Sequence, residues 1–469
     1  MVAAALLLPP ASGWAAAPPE WHGINATSIY RDALIQERVK RQRGRPIAPA
    51  ENALAGLGVK QARVDAIWAL SEVSGPGPFE EPNDALDIVA SGLSQRGTRW
   101  SPVIVYTPWW AGPDPNGPPD DVEDFTAFAA KFARRFGRGG SYWPTSPEDP
   151  KSLYPVLPVT RYEIWNEPNF AYFWRPRPDA GAYGRLFVAA AGSIREVDPQ
   201  AELIVGGLFP NGAGEFVAAL KAAAPEALAV ADGVALHPYG AGPEQVLQHV
   251  RRVRQALRAA GHPEMGLFVN EVGWPRIGTG RLGLSPVPDE VRAGNLTLVA
   301  DALLRSDCGV RSFEPFTFAS LENDQADDET FLGMWSPEAG YSRTALAYRD
   351  LVERQLAEPR ARRLPLCSED QRPSSSPLEL ALIRSPAAKP VGTCFEGSVR
   401  YDGRPLSSVR VVVQRRAAGR SGVWRRVGRA RTDAGGSVRA CRTRAAGEQR
   451  VVAEIPRVAV SAPKRLSRR

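Results

Sequence analysis

The sequence predicts an α/β protein, a (β/α)8 TIM barrel that carries a small C-terminal all-β sandwich domain. Three observations lead there. Short apolar, β-branched runs alternate with amphipathic helical stretches up to about residue 356. Those runs read as apolar throughout, as strands of a parallel sheet covered on both sides must be. Beyond residue 391 the pattern changes to Val-rich runs separated by Asp402-Gly403 and Gly435-Gly436 turns. Eight βα units fit a barrel with insertions, since an unadorned barrel needs about 250 residues. An open doubly wound sheet would usually have fewer strands and a ligand at one switch point.

Taken in order, Trp21–Asn25 reads as the first strand, Pro49–Leu57 as a helix and Val59–Asp65 as the second strand. A helix over Pro82–Gln95 precedes strand three, Thr98–Tyr106, and a Pro/Gly/Trp-rich loop, Pro108–Pro119. Asp120–Phe136 is amphipathic, with Phe125, Phe128, Phe132 and Phe136 at three- and four-residue spacing and Gly137 as its cap. Residues 138–159 read as an insertion before strand four, which starts at Arg161. Helix Ala180–Val197, strand Glu202–Leu208, helix Ala213–Ala224, strand Gly233–His237 and helix Glu244–Ala260 follow. Met265–Glu271, helix Glu290–Arg305, Val310–Phe318 and helix Ser342–Leu356 complete the set. The predicted domains are a signal peptide over 1–17, the barrel over 18–357, a linker over 358–391, the sandwich over 392–457 and a disordered basic tail over 458–469.

The chain of 469 residues has a formal charge of +7, but the charge is unevenly placed. Residues 391–469 hold 19 Arg or Lys against 5 Asp or Glu, and the rest holds 39 against 46. The basic pI therefore belongs to the C-terminal end, which points to separate domains. Cys308, Cys367, Cys394 and Cys441 show no metal-binding spacing. The N-terminus is apolar and ends in Ala15-Ala16-Ala17, a small-residue cleavage pattern, although no basic stretch precedes it. Export is the expectation, with a disulfide between Cys394 and Cys441 inside the small domain. The leader is too short to span a bilayer.

Chemistry concentrates at two strand ends. Arg161-Tyr-Glu-Ile-Trp-Asn-Glu-Pro-Asn169 alternates aromatic and apolar residues until Pro168 stops the strand, which places Asn166 and Glu167 at the catalytic face of a barrel. Glu271 closes strand seven in Phe268-Val-Asn-Glu-Val-Gly-Trp274. The ends of strands four and seven face each other across the mouth, so the two carboxyls would bracket a bond held between them. Retaining cleavage of a glycosidic bond needs such a pair about 5–5.5 Å apart. Arg63, expected at the end of strand two, is placed to keep Glu271 ionised, and Asn166 to bond a sugar 2-hydroxyl.

The Trp165–Asn169 motif resembles the acid/base motif of clan A glycoside hydrolases, most closely families 39 and 5. Gly58–Trp68, Ala235–Gly240 and Phe331–Gly340 resemble their second-strand, sixth-strand and post-strand-eight segments, so the likeness covers about residues 20–356. The resemblance implies Glu167 as acid/base and Glu271 as nucleophile. It also implies His237 and Tyr239 lining the site, and Trp109, Trp274 and Trp335 as sugar platforms. The sandwich loosely resembles transthyretin-like modules and implies no activity.

The expected function is that of a secreted retaining glycoside hydrolase acting on poly- or oligosaccharide. The alternative is a non-catalytic carbohydrate-binding barrel anchored through the basic sandwich. Gly278–Gly283 matches a dinucleotide fingerprint but follows Pro275 and opens no helix, so no cofactor is expected. No metal site, Walker loop or Gly-x-Ser-x-Gly elbow is present in the sequence. The basic C-terminal region, poor in aromatics, predicts no nucleic-acid partner; it reads first as a solvated Arg-rich face, and an acidic cell-wall polymer is the partner it would otherwise suit.

Overall fold

The computed structural model describes residues 17–29, 48–77, 84–278, 284–319, 332–358, 363–368, 377–385, 394–416, 423–441 and 447–466. The expected leader therefore lies outside the described residues except for Ala17, and so does most of the Gly278–Gly283 stretch.

Eight parallel strands form one sheet in sequence order: β1 Gly23–Asn25, β2 Gln61–Ile67, β3 Arg99–Val105, β4 Arg161–Asn166, β5 Glu202–Leu208, β6 Gly233–Leu236, β7 Gly266–Val269 and β8 Val310–Phe313. A parallel bridge between His22 and Phe313 joins the two ends, so the sheet closes. Helices cover it outside; Val122–Phe136 is the clearest, starting on the Asp121 side chain and burying Phe125, Phe128, Phe132 and Phe136. Gly137 ends it with φ −71°, so its smallness rather than a left-handed turn is what matters. A Cβ there would crowd Ala133 O and Tyr162 Oη.

The large apolar core lies between sheet and helices. The lumen is different. Its separate apolar cluster is Ile204, Ala235 and Phe268, while Gln61, Arg63, Glu163 and Glu314 are all buried. The expectation of strands apolar on both faces fails here: β2 and β4 alternate apolar residues toward the helices with polar ones toward the lumen. Barrels usually fill this space with branched aliphatics. Here ion pairs fill it.

A short antiparallel pair, β9 Trp335–Ser336 and β10 Gly340–Tyr341, follows the barrel strands, and the β-domain contains β11 Leu378–Arg384, β12 Cys394–Tyr401, β13 Arg404–Pro405, β14 Arg410–Arg416, β15 Arg425–Arg431, β16 Ser437–Cys441, β17 Glu448–Ile455, β18 Ala459–Ser461 and β19 Lys464–Arg465. Two sequence expectations are corrected. Leu378–Arg384, assigned to the linker, is a strand that pairs with β12 and β18 and buries Leu378, Leu380 and Leu382. The start of the tail is ordered as β18 and β19, both paired with β17. Cys394 and Cys441 form the expected disulfide. A second, Cys308–Cys367, ties the start of the linker to the turn before β8.

The domain docks on the helices Pro243–Ala259 and Asp289–Arg305. Arg410 and Arg431 both bind Glu244, so part of the C-terminal positive charge serves this contact. Asn295 exchanges hydrogen bonds with Ser407, and Tyr401 donates to Asp301 at 2.8 Å. Every residue from Val291 to Leu303 is buried, as a helix covered on all sides requires.

Candidate active site

The carboxyl end of the barrel gathers side chains from β1, β2, β4, β6 and β7. Arg63 lies in the middle of β2 rather than at its end, and its long side chain reaches up the lumen. Its Nη1 donates to Glu271 Oε1 at 2.7 Å, its Nε and Nη2 bind the two Glu163 oxygens at 2.8 and 3.0 Å, and Nη2 also donates to Asn166 Oδ1 at 2.9 Å. Arg63 is 2% exposed. Burial works against its charge, but Glu163 and Glu271 outweigh burial and hold the guanidinium well above the usual arginine range. It is a fixed cation.

Glu271 lies two residues beyond β7, which ends at Val269. Besides Arg63 it accepts from Tyr239 Oη at 2.8 Å, and Asn25 Nδ2 stands 3.4 Å away. Glu167 follows β4. Its Oε1 is 2.7 Å from His237 Nδ1, and the same nitrogen is 3.5 Å from Glu271 Oε2. One oxygen of each glutamate and one ring nitrogen of His237 all lie within 4.8 Å of one another. Burial first, and then the nearby Arg63, push the His237 pKa well below the ordinary histidine range. Both effects favour the neutral ring. The three donor groups could surround a cation, but at Glu271 the positive charge is already supplied by Arg63.

The local backbone is strained at Trp165 and Glu167. Trp165 and Glu167 have φ of 70° and 44°, a left-handed region that non-glycine residues seldom occupy. The turn at Trp165 breaks the strand alternation. Its indole packs outward on Phe125 and Trp174, and its Nε1 donates to Phe173 O. Asn166 then faces the lumen and pairs with Gly207 in β5. Gly207 is required by space: a Cβ there would collide with the His237 ring.

The sequence-derived residues Arg63, Asn166, Glu167, His237, Tyr239 and Glu271 are thus brought together. The proposed platforms are not equivalent. Trp274 is 1% exposed and donates its indole N–H to Gly240 O, so it underlies the mouth and offers no face to a sugar. Trp335 is partly exposed and stacked on Phe318, with ring planes 7° apart. Trp109 is 73% exposed on the rim, its indole N–H bound to Val73 O.

Sequence reasoning missed Asn25, Asn270 and the reach of Glu163. Glu163 accepts from Asn270 Nδ2 at 2.5 Å and Gly207 N at 2.7 Å, in addition to Arg63. The i, i+2 placement of Arg161 and Glu163 on one face of the strand was a signal for this.

Comparison with known proteins fits this geometry. No protein-family model matches the chain. A β-xylosidase from Geobacillus stearothermophilus is 26% identical over 179 residues, 34% of this chain, and the chain spans about a third (34%) of that relative's length. Among solved structures, a monomeric β-xylosidase from Caulobacter crescentus CB15 superposes with a TM-score of 0.53 at 16% identity, covering 92% of this chain and 96% of the other. A family 39 enzyme from Xanthomonas axonopodis pv. citri gives 0.53 at 16% identity over 92% and 94%. A glucosidase from Croceicoccus marinus gives 0.55 at 13% identity over 94% and 96%. These likenesses extend over barrel and β-domain alike, and the chain has the fold of family 39 and related clan A glycoside hydrolases.

Proposed function

We propose that the chain is a retaining glycoside hydrolase in which Glu167 is the acid/base and Glu271 the nucleophile. The observation that carries this reading is the close approach of the two carboxyl groups, within 4.8 Å at their nearest described atoms. Retaining enzymes hold the pair about 5–5.5 Å apart, and inverting enzymes leave about 6.5–9.5 Å for a water.

In the first step a Glu271 oxygen attacks the anomeric carbon, and the bond to the leaving-group oxygen breaks as Glu167 gives that oxygen its proton. Arg63 and Tyr239 hold and aim the Glu271 carboxylate, which is what a nucleophile requires. In the second step water attacks the same carbon, Glu167 takes the water's proton, and Glu271 departs as carboxylate. Asn166 Oδ1 is occupied by Arg63, so its Nδ2 is the atom turned to the sugar 2-hydroxyl. Neighbouring β-xylosidases make a β-xyloside the first glycone to test. Export is part of the proposal, supported by two disulfides. Exposed Arg429 and Arg465 on the β-domain support an acidic wall polymer as a second contact.

The test is turnover of aryl β-glycosides by Glu271→Ala with and without azide. Loss of at least about 10³-fold, with azide restoring release as a glycosyl azide of inverted configuration, is expected. Unchanged hydrolysis in the variant removes the assignment.

A further inference from the structure

The rim beside Glu167 carries an aromatic strip that the reaction as described does not use. Phe170 follows Glu167 by three residues, and its backbone N–H donates to Glu167 O at 2.9 Å. Its ring stacks on Phe209, just beyond β5, with centroids 4.5 Å apart and planes 14° apart. Phe173 lies 6.3 Å from Phe170, Tyr172 meets Phe173 edge-on at 4.8 Å, and Tyr106, beyond β3, is 6.5 Å from Phe173. Tyr172 is 44% exposed, and the other four rings are partly exposed. Five rings from three successive loops thus form one continuous surface that stays open to solvent, at the side of the mouth where the acid sits.

Two polar side chains beside this strip, Asn169 and Arg175, are already engaged. Asn169 spends both amide atoms on the backbone of Phe209, donating to its carbonyl and accepting from its N–H, each at 2.8 Å. Arg175 lies over the Tyr172 ring at 5.4 Å and pairs with Asp114 at 3.3 Å. A sugar in this position would need convergent donors and acceptors for its hydroxyls. Three phenylalanines and two tyrosines offer apolar area instead.

We propose that the strip is the leaving-group subsite and that it selects a glycoside whose aglycone is apolar, an alkyl or aryl alcohol, over one whose leaving group is another sugar. This rests on Glu167 as the acid: the group that receives its proton must lie beside it, and the loop that continues from Glu167 carries this surface. It goes further than that reading by naming the class of aglycone.

The experiment uses the full chain and one glycone throughout, the one best cleaved in an aryl panel, with β-xyloside first. Methyl, hexyl and 2-phenylethyl glycosides are compared with the disaccharide. The alkyl alcohols differ little in acidity, so rate differences report binding of the aglycone. Hexyl should exceed methyl in kcat/KM by at least about tenfold, from several methylene groups partly buried. Phe209→Ala and Phe170→Ala should each cut the hexyl-to-methyl ratio several-fold, and Tyr172→Ala, the most exposed, should cut it less. In parallel, hexyl and methyl glycosides are titrated calorimetrically into the slow Glu271→Ala variant. Preferential cleavage of the disaccharide, or a hexyl-to-methyl ratio indifferent to both phenylalanine changes, overturns the subsite while leaving the hydrolase reading intact. If no glycoside is turned over, the hydrolase reading falls. The strip then stands only if hexyl glycoside still binds more tightly than methyl and Phe209→Ala abolishes the difference.

Discussion

The barrel lumen contains two arginine-centred layers, and they contrast in what they are connected to. In the upper layer Arg63 bridges Glu163, Asn166 and Glu271, so its ion pairs end at the mouth. In the lower layer Arg161, at the start of β4, binds Glu202 at 2.7 Å and Gln61 Oε1 at 2.7 Å and lies over the Phe268 ring at 4.4 Å. Between them stands Glu314, buried, with Arg161 3.9 Å away. Arginine–carboxylate pairs inside one barrel thus do two jobs. A buried ion pair is a poor way to gain stability, because desolvation offsets most of the attraction. The lower layer fills and closes the floor, and the upper layer holds and aims the proposed nucleophile.

The largest expected effect separates these roles directly. Arg63→Gln should lower kcat by about 10²- to 10³-fold, the usual result of removing a preorganised electrostatic partner. Arg161→Gln should leave kcat within about twofold and lower Tm by several degrees, because Glu314 loses Arg161 and Glu202 is left with the more exposed Arg311. Equal losses of kcat in both variants would erase the distinction.

Gly207→Ala comes next. The added methyl would displace His237, and a misplacement of about 1 Å near reacting groups costs on the order of 10²-fold in rate. Steady-state kinetics alongside circular dichroism would show a drop in kcat with the fold retained.

Glu314 gives a pH test of the middle of the lumen. Burial, opposed by Arg161, raises its pKa to about 7 from a reference of 4.5. The folded state therefore holds this proton more tightly than the unfolded chain does. The stability this confers is fully present below pH 4.5 and is lost as pH rises through about 7. Glu314→Gln should thus stabilise the protein at pH 8 by on the order of 2 kcal/mol and have little effect at pH 4. Denaturant melts at the two pH values read this out, and equal shifts at both would contradict it. The smallest effect is expected for Gln61→Ala, which removes one hydrogen bond to Arg161 and should cost about 1 kcal/mol with kcat unchanged.

Much of the barrel was legible because strand and helix periods differ, and the motif at 165–169 fixed where one strand stops. Glu271 could be located because apolar Gly266–Val269 runs straight into it. The polar lumen was harder. Gln61-Ala-Arg-Val-Asp alternates polar and apolar residues, which read correctly means a strand with one wet or ionic face; treating every barrel strand as uniformly apolar hid this. Leu378–Arg384 was lost to its surroundings. Its leucines alternate with Glu379 and Ala381, a strand pattern, yet Pro- and Ser-rich flanks suggested a linker. Trp274 failed as a platform because composition cannot say which face of a loop a ring will occupy. The Cys308–Cys367 bond, spanning 59 residues between two segments, has no spacing rule by which sequence could reveal it.

The helix Asp289–Arg305 has a consequence for how this chain can be divided. One side belongs to the barrel wall and the other is the ground on which the β-domain is built, so close that a methyl on Gly294 would collide with Pro405 O. A chain ending at Ala357 would wet an interior surface and should behave as a core deletion does, with aggregation and loss of cooperativity. The C-terminal domain is therefore not a detachable appendage. Any exchange of it between related barrels must carry this helix along, and a graft that leaves the helix behind should fail at the seam.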